Sequence, residues 1–152
     1  MTFLVPVHQA SQTKWQTCFS DTMATTRGKC ANDLDCFCYI CGRFTLIDER
    51  LGFTTFVRQA YFAYFDMHLG DQDKSWAPHK VCQPCVEKLR RWTKGKRTHL
   101  SFGIPMVWRE PMDHTSDCYF CQVKTVGYNE RTRHKIKYPS LKSAILPIPH
   151  SD

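Results

Sequence analysis

The chain has 152 residues, 42% of them hydrophobic and 13% aromatic, with a formal net charge of +7. That size suits one domain or two small ones with a packed core. No stretch approaches the roughly 18 consecutive apolar residues of a membrane span, and the opening "MTFLVPVHQA" has no basic lead and too short an apolar run for a secretory signal.

Residues 1–34 are rich in Thr, Ser, Gln and Asn and show no sustained apolar period, so they are expected to form a flexible tail. Cys18 and Cys30 fall in this tail and are expected to be spare thiols. Beyond it, "DCFCYICG" places Cys36, Cys38 and Cys41 within six residues. Two further pairs follow, Cys82-x2-Cys85 and Cys118-x2-Cys121. A two-residue gap lets both sulfurs of a pair reach one tetrahedral ion, which favours metal over disulfide use. A redox pair would need a strand-helix-strand context that the flanking sequence lacks. The expected setting is a reducing compartment, nuclear or cytoplasmic and not secreted.

Gly42, directly after Cys41, suits a knuckle in which backbone amides turn toward the sulfurs. "RFTLI" then reads as a short strand. In "LGFTTFVRQAYFAYFDMHLG", Phe53, Phe56, Val57, Ala60, Tyr61, Tyr64 and Phe65 recur at spacings of three and four. This predicts an amphipathic helix with its aromatic stripe in the core, capped at Thr54 or Thr55 and ended by Gly70. "CQPCVEKLRRWTKG" predicts a second helix with Pro84 in its first turn and Gly95 at its end. A short strand is expected at Met106–Trp108, then a hairpin-like stretch turning near Gly127 to Asn129. The Pro-rich end excludes a long terminal helix.

Cys38, Cys41, Cys82 and Cys85 make a four-sulfur set, its second pair at a helix start where the dipole and free amides favour thiolates. Cys36 is left over as a bystander. The set predicts a small α+β zinc-stabilised fold, with a treble-clef-like knuckle and amphipathic helix over 35–100 and a second, irregular zinc-binding unit with a Pro-rich end over 101–152. For the second ion the spacing Cys121-x12-His134 matches a finger, and His150 is the next later histidine, so the expected ligands are Cys118, Cys121, His134 and His150. His114, close to Cys118, is a further candidate. A rival grouping of His79 with Cys118 and Cys121 resembles the latter half of a RING domain, with ubiquitin-ligase activity as its implication. It lacks a cysteine shortly before His79.

"CYICG", then the amphipathic helix, then "APHKVCQPCVEKLRRW" resembles the zinc-finger-associated domain of insect transcription factors over roughly Cys38 to Trp92. The resemblance implies zinc held by Cys38, Cys41, Cys82 and Cys85, and dimerisation through helices. The third CxxC departs from that pattern. The stretch from "FGIPMVWREP" through "DCYFC" to "PIPH" also resembles a group of uncharacterised arthropod proteins, which implies no function.

No HExxH, HxE with PCxxC, GxSxG, P-loop or GxGxxG occurs, so no enzyme and no small-molecule substrate is expected. "KLRRWTKGKR" holds six basic residues in ten and no acid, and "RTRHKIKY" adds four more with a histidine. Such runs beside metal ligands point to phosphate contact by Lys88, Arg90, Arg91, Lys94, Lys96, Arg97, Arg131 and Arg133. The expectation is a module with two zinc ions that contacts nucleic acid, with a partner protein or self-association as the alternative.

Overall fold

A computed structural model describes residues 30–97 and 99–150. Most of the tail expected over 1–34 therefore lies outside the described residues, including Cys18. Its last five residues are described, and Cys30, Asn32 and Leu34 among them are buried.

The regular elements are short. Among the described residues, three α-helices, α1 (Thr55–Phe65), α2 (Gln83–Thr93) and α3 (Tyr119–Gln122), accompany six strands. The strands are β1 (Arg50–Leu51), β2 (Val81–Cys82), β3 (Phe102–Ile104), β4 (Val107–Trp108), β5 (Ala144–Ile145) and β6 (Ile148–Pro149). They form three two-stranded antiparallel ladders, β1 with β2, β3 with β6 and β4 with β5. Ladders this small are marginal alone in water, so packing must hold them.

That packing is aromatic. Helix α1 starts where Thr54 Oγ1 accepts from the Val57 amide at 3.2 Å. It buries Val57, Ala60, Tyr61 and Phe65 against the Val86 and Leu89 side of α2. It ends earlier than Gly70 because Asp66 adopts a left-handed conformation, φ 58°, and returns its amide to the Phe62 carbonyl. Helix α2 has the expected Pro84 in its first turn and terminates before Gly95, φ 80°.

The chain around the third cysteine pair joins the same interior. Trp108 stacks on Phe120 at 5.4 Å and Tyr119 on Tyr138 at 6.2 Å, while Phe37 meets both Tyr119 and Phe120. Trp108 Nε1 donates to the Tyr39 carbonyl at 2.8 Å, and Tyr119 Oη donates to the Gly42 carbonyl at 2.7 Å. One continuous core runs from Cys30 to Ala144. Each buried ring of this kind stabilises the fold by about 2–3 kcal/mol through area removed from water.

Two local expectations change. "RFTLI" is not a strand; only Phe44 bridges back, to Phe37. The stretch after Cys118 is no hairpin. It is the single turn α3, a turn with Gly127 at φ 89°, and a 3-10 turn at Arg133–Lys135. No described helix is long and apolar enough to cross a membrane.

Candidate metal centres

The first centre is built at a knuckle. Gly42 takes φ 76°, which lets the chain reverse, and its amide donates to the Cys38 carbonyl at 2.8 Å. The reversal turns the Ile40 and Cys41 amides onto Cys38 Sγ at 3.3 and 3.4 Å. Amide donation of this kind stabilises a thiolate. The facing pair comes from α2, with Cys82 as its N-cap and Cys85 in its first turn. The ladder between β1 and β2, with Arg50 opposite Cys82, brings the helix start to the knuckle. Cys38 and Cys85 sulfurs are 3.9 Å apart, and those of Cys41 and Cys82 are 3.8 Å apart. A zinc ion ~2.3 Å from each sulfur would set tetrahedral edges of ~3.8 Å. All four ligand atoms lie within 4.8 Å of one another. The donor set fits a zinc tetrathiolate. Hydrogen bonding to Cys38 and then to Cys41 and Cys82, with burial, pushes the Cys85 thiol well up. A cation removes that penalty by favouring the thiolate.

The second centre gathers Cys30, His114, Cys118 and Cys121. Cys118 caps α3, and Cys121 in that turn donates its amide back to the Cys118 carbonyl at 3.1 Å. Cys30 Sγ lies 3.6 Å from Cys118 Sγ. His114 Nδ1 lies 3.6 Å from both Cys30 Sγ and Cys121 Sγ. A tetrahedral ion with zinc–sulfur and zinc–nitrogen bonds of ordinary length sets that edge at ~3.6 Å. The Cys30–Cys118 hydrogen bond holds the Cys118 thiol down at about 5 and pushes Cys30 up, so one proton is shared between them. This centre is the more open of the two, since His114 is exposed.

Polar staples place both outlying ligands. Asn32, 3% exposed, donates from Nδ2 to the Phe120 and Val123 carbonyls at 2.9 Å each and accepts from Thr125 Oγ1 at 2.9 Å. This fixes the Cys30 segment across α3. Asp113 Oδ1 accepts from the Ser116 and Thr115 amides at 2.6 and 2.9 Å, closing the turn that carries His114. Those donors, the Ser116 amide first, hold the Asp113 carboxyl down at about 2. Gln122 Nε2 donates to the Thr115 carbonyl, tying that turn to α3.

The second ligand set thus differs from the expected one. His134 lies on the 3-10 turn, exposed and away from the second centre. His150 is carried off by the β3–β6 ladder, where its Nε2 meets Tyr64 Oη at 2.8 Å and the Leu100 carbonyl at 3.0 Å. The Asn32 staple brings Cys30 in instead, so Cys30 is a ligand candidate and not a spare thiol. His79 belongs to neither centre; its Nε2 meets the Lys74 carbonyl at 2.8 Å and its amide donates to Asp35 Oδ1. The cross-brace needed for a RING arrangement is therefore absent among the described residues. Cys36 stands outside both centres, fully buried, its sulfur 3.3 Å from Arg50 Nη2. All seven free cysteines among the described residues belong to the two centres.

Of the basic residues, Lys88, Arg90, Arg91, Lys94, Lys96, Arg97 and Arg131 are exposed. Arg90 pairs with Glu87 and lies over the Phe56 ring. Arg133 is half-buried, 3.1 Å from Glu49.

No family model, curated protein or solved structure matches the chain. What stands on geometry is a small mixed α/β protein with two Cys/His clusters suited to zinc.

Proposed function

We propose that the chain is a non-enzymatic zinc module that binds nucleic acid, chiefly by phosphate contact, in a nuclear or chromatin setting. The observation that carries this reading is on α2. The helix begins with two candidate ligand cysteines, Cys82 and Cys85, carries Lys88, Arg90 and Arg91 exposed, and leads into a turn that exposes Lys94, Lys96 and Arg97. A helix clamped at its start holds its cations in fixed register, and fixed cations lose less entropy on meeting phosphates. Each centre already offers four protein donors, the pattern of a closed structural site without a free position for a substrate. The knuckle, the β1–β2 ladder and a helix opening on ligands support a treble-clef-like reading of the first centre and its likeness to the zinc-finger-associated domain.

The test is titration of the metal-loaded chain against labelled nucleic acid at rising salt. Log affinity is expected to fall linearly with log salt. Replacing Lys94, Lys96 and Arg97 by Gln together should reduce the slope by about 2–3. No binding at low ionic strength would remove the nucleic-acid reading and leave the zinc module.

A further inference from the structure

A cleft of about 680 Å3 opens beside the first centre, with Cys41, Cys82 and Cys85 in its wall. Its size falls within the ~300–1,000 Å3 of ordinary ligand sites. The two basic runs of the sequence converge on it, Lys88 from α2 and Arg133 from the 3-10 turn, with Arg43 from the knuckle. Resting on the nucleic-acid reading above, we infer that this cleft receives an unpaired nucleobase while the phosphates on either side lie along α2 and the turn that follows it.

Charge decides between base and phosphate. Arg43, Lys88 and Arg133 supply three positive charges, but Glu49 lines the cleft too and pairs with Arg133 at 3.1 Å. A dication held by four thiolates carries a net double negative charge. The metal-loaded cleft is therefore close to neutral and a poor seat for a phosphate. Its remaining walls suit an uncharged planar group. Phe102, Tyr138 and Pro147 line it, and Tyr138 is half-buried, with Tyr119 stacked at 6.2 Å behind it. Stacking on such rings tolerates any base.

Uncompensated positive charge lies next to the cleft. Arg91 follows Lys88 three residues on, along the same helix edge. The Lys94 and Lys96 amides both fold back to the Arg91 carbonyl at 3.1 Å. The chain then returns to the cleft wall at Leu100, Ser101 and Phe102. The basic turn thus joins two parts of one wall. A paired base is locked in its stack and cannot enter such a recess unless it is extruded, so a single strand is the favoured form.

The experiment uses the full metal-loaded chain and fluorescence anisotropy with three labelled probes: a mixed-sequence single strand of twelve nucleotides, the same length of abasic strand, and the duplex of that sequence. The single strand should bind about five- to 100-fold more tightly than the abasic strand, which keeps the phosphates but offers nothing to stack. It should also bind more tightly than the duplex. Ser101→Trp, which places an indole in the cleft from an exposed position, should bring the single strand down to the abasic level with zinc content unchanged. Equal binding of the single and abasic strands overturns this inference but leaves the phosphate-binding reading. So does a preference for the duplex. Binding of none of the three overturns both. The probe comparison needs no variant, so it stands even if Ser101→Trp misfolds.

Discussion

Cys30 and Cys118 lie 88 residues apart in sequence, yet their sulfurs are 3.6 Å apart. A lone cysteine in a polar stretch thereby completes a site with a CxxC pair near the other end of the chain. The contact ties the first described residues to the last third of the fold.

Removing that sulfur should disable one centre only. Cys30→Ser is expected to lower zinc content from two per chain to one, with the four-cysteine centre retained. His134→Ala and His150→Ala are expected to leave content at two. Elemental analysis of the purified variants checks all three.

The Asn32 staple should matter as much as a ligand. Asn32→Leu leaves the Val123 carbonyl and the Thr125 hydroxyl without their Asn32 partner in a buried place, and leaves the Phe120 carbonyl with only the backbone amide of residue 32. The expected cost is about 2–4 kcal/mol in denaturant unfolding of the loaded protein. Competition with a chelating dye should show weaker metal affinity at the second centre and little change at the first.

Gly42 is constrained twice. Its φ is 76°, and a Cβ there would sit 2.7 Å from Met106 Sδ. Gly42→Ala is expected to destabilise the loaded fold by about 1–3 kcal/mol. The Met106 thioether can yield some of the space, so the backbone conformation sets most of the cost. Denaturant midpoints at saturating zinc measure it.

Proton release should distinguish the centres. Metal binding expels the protons of its thiol ligands. The first centre has four thiols, and Cys85 among them is pushed up. In the second only three thiols take part, and the Cys30 hydrogen bond holds the Cys118 thiol down, so Cys118 has less of a proton to give up at neutral pH. The sign follows for stability as well. A thiol whose folded pKa is depressed contributes stability above its ordinary value, and that contribution fades as pH falls through about 5. Cys30, raised as the other half of the pair, works oppositely and favours the metal-free fold below the ordinary thiol range. Calorimetry at pH 7 in buffers of different ionisation enthalpy should give fewer protons per zinc at the second centre than at the first.

The first centre was legible in the sequence because both of its halves are local. CxxC spacing, Gly42 and the helix start at Pro84 each carry their own signal. The second was only half legible. Cys118 and Cys121 announce themselves, but Cys30 sits in a stretch without periodicity, and its placement depends on Asn32 reaching carbonyls about 90 residues away. A finger-like count reached His134, whereas the turn closed by Asp113 makes His114 the nearer donor. The clue available was that a third CxxC still wanted two ligands while Cys30 had no assigned use. The positions of α1 and α2 were legible, while the single turn α3 lay in a stretch whose pattern suggested a hairpin. The end of α1 was not legible, because Asp66 adopts the left-handed conformation that the pattern assigned to Gly70. The strands were least legible, since ladders two or three residues long leave no alternation to detect.

The central claim is that two clusters of four ligands each hold a metal ion. Native mass spectrometry of the full chain, refolded with excess zinc and desalted, tests it most directly. The account predicts a dominant species with two zinc ions, falling to one in Cys30→Ser and in Cys82→Ser. A dominant metal-free species that keeps the near-ultraviolet circular dichroism of a packed aromatic core would contradict it.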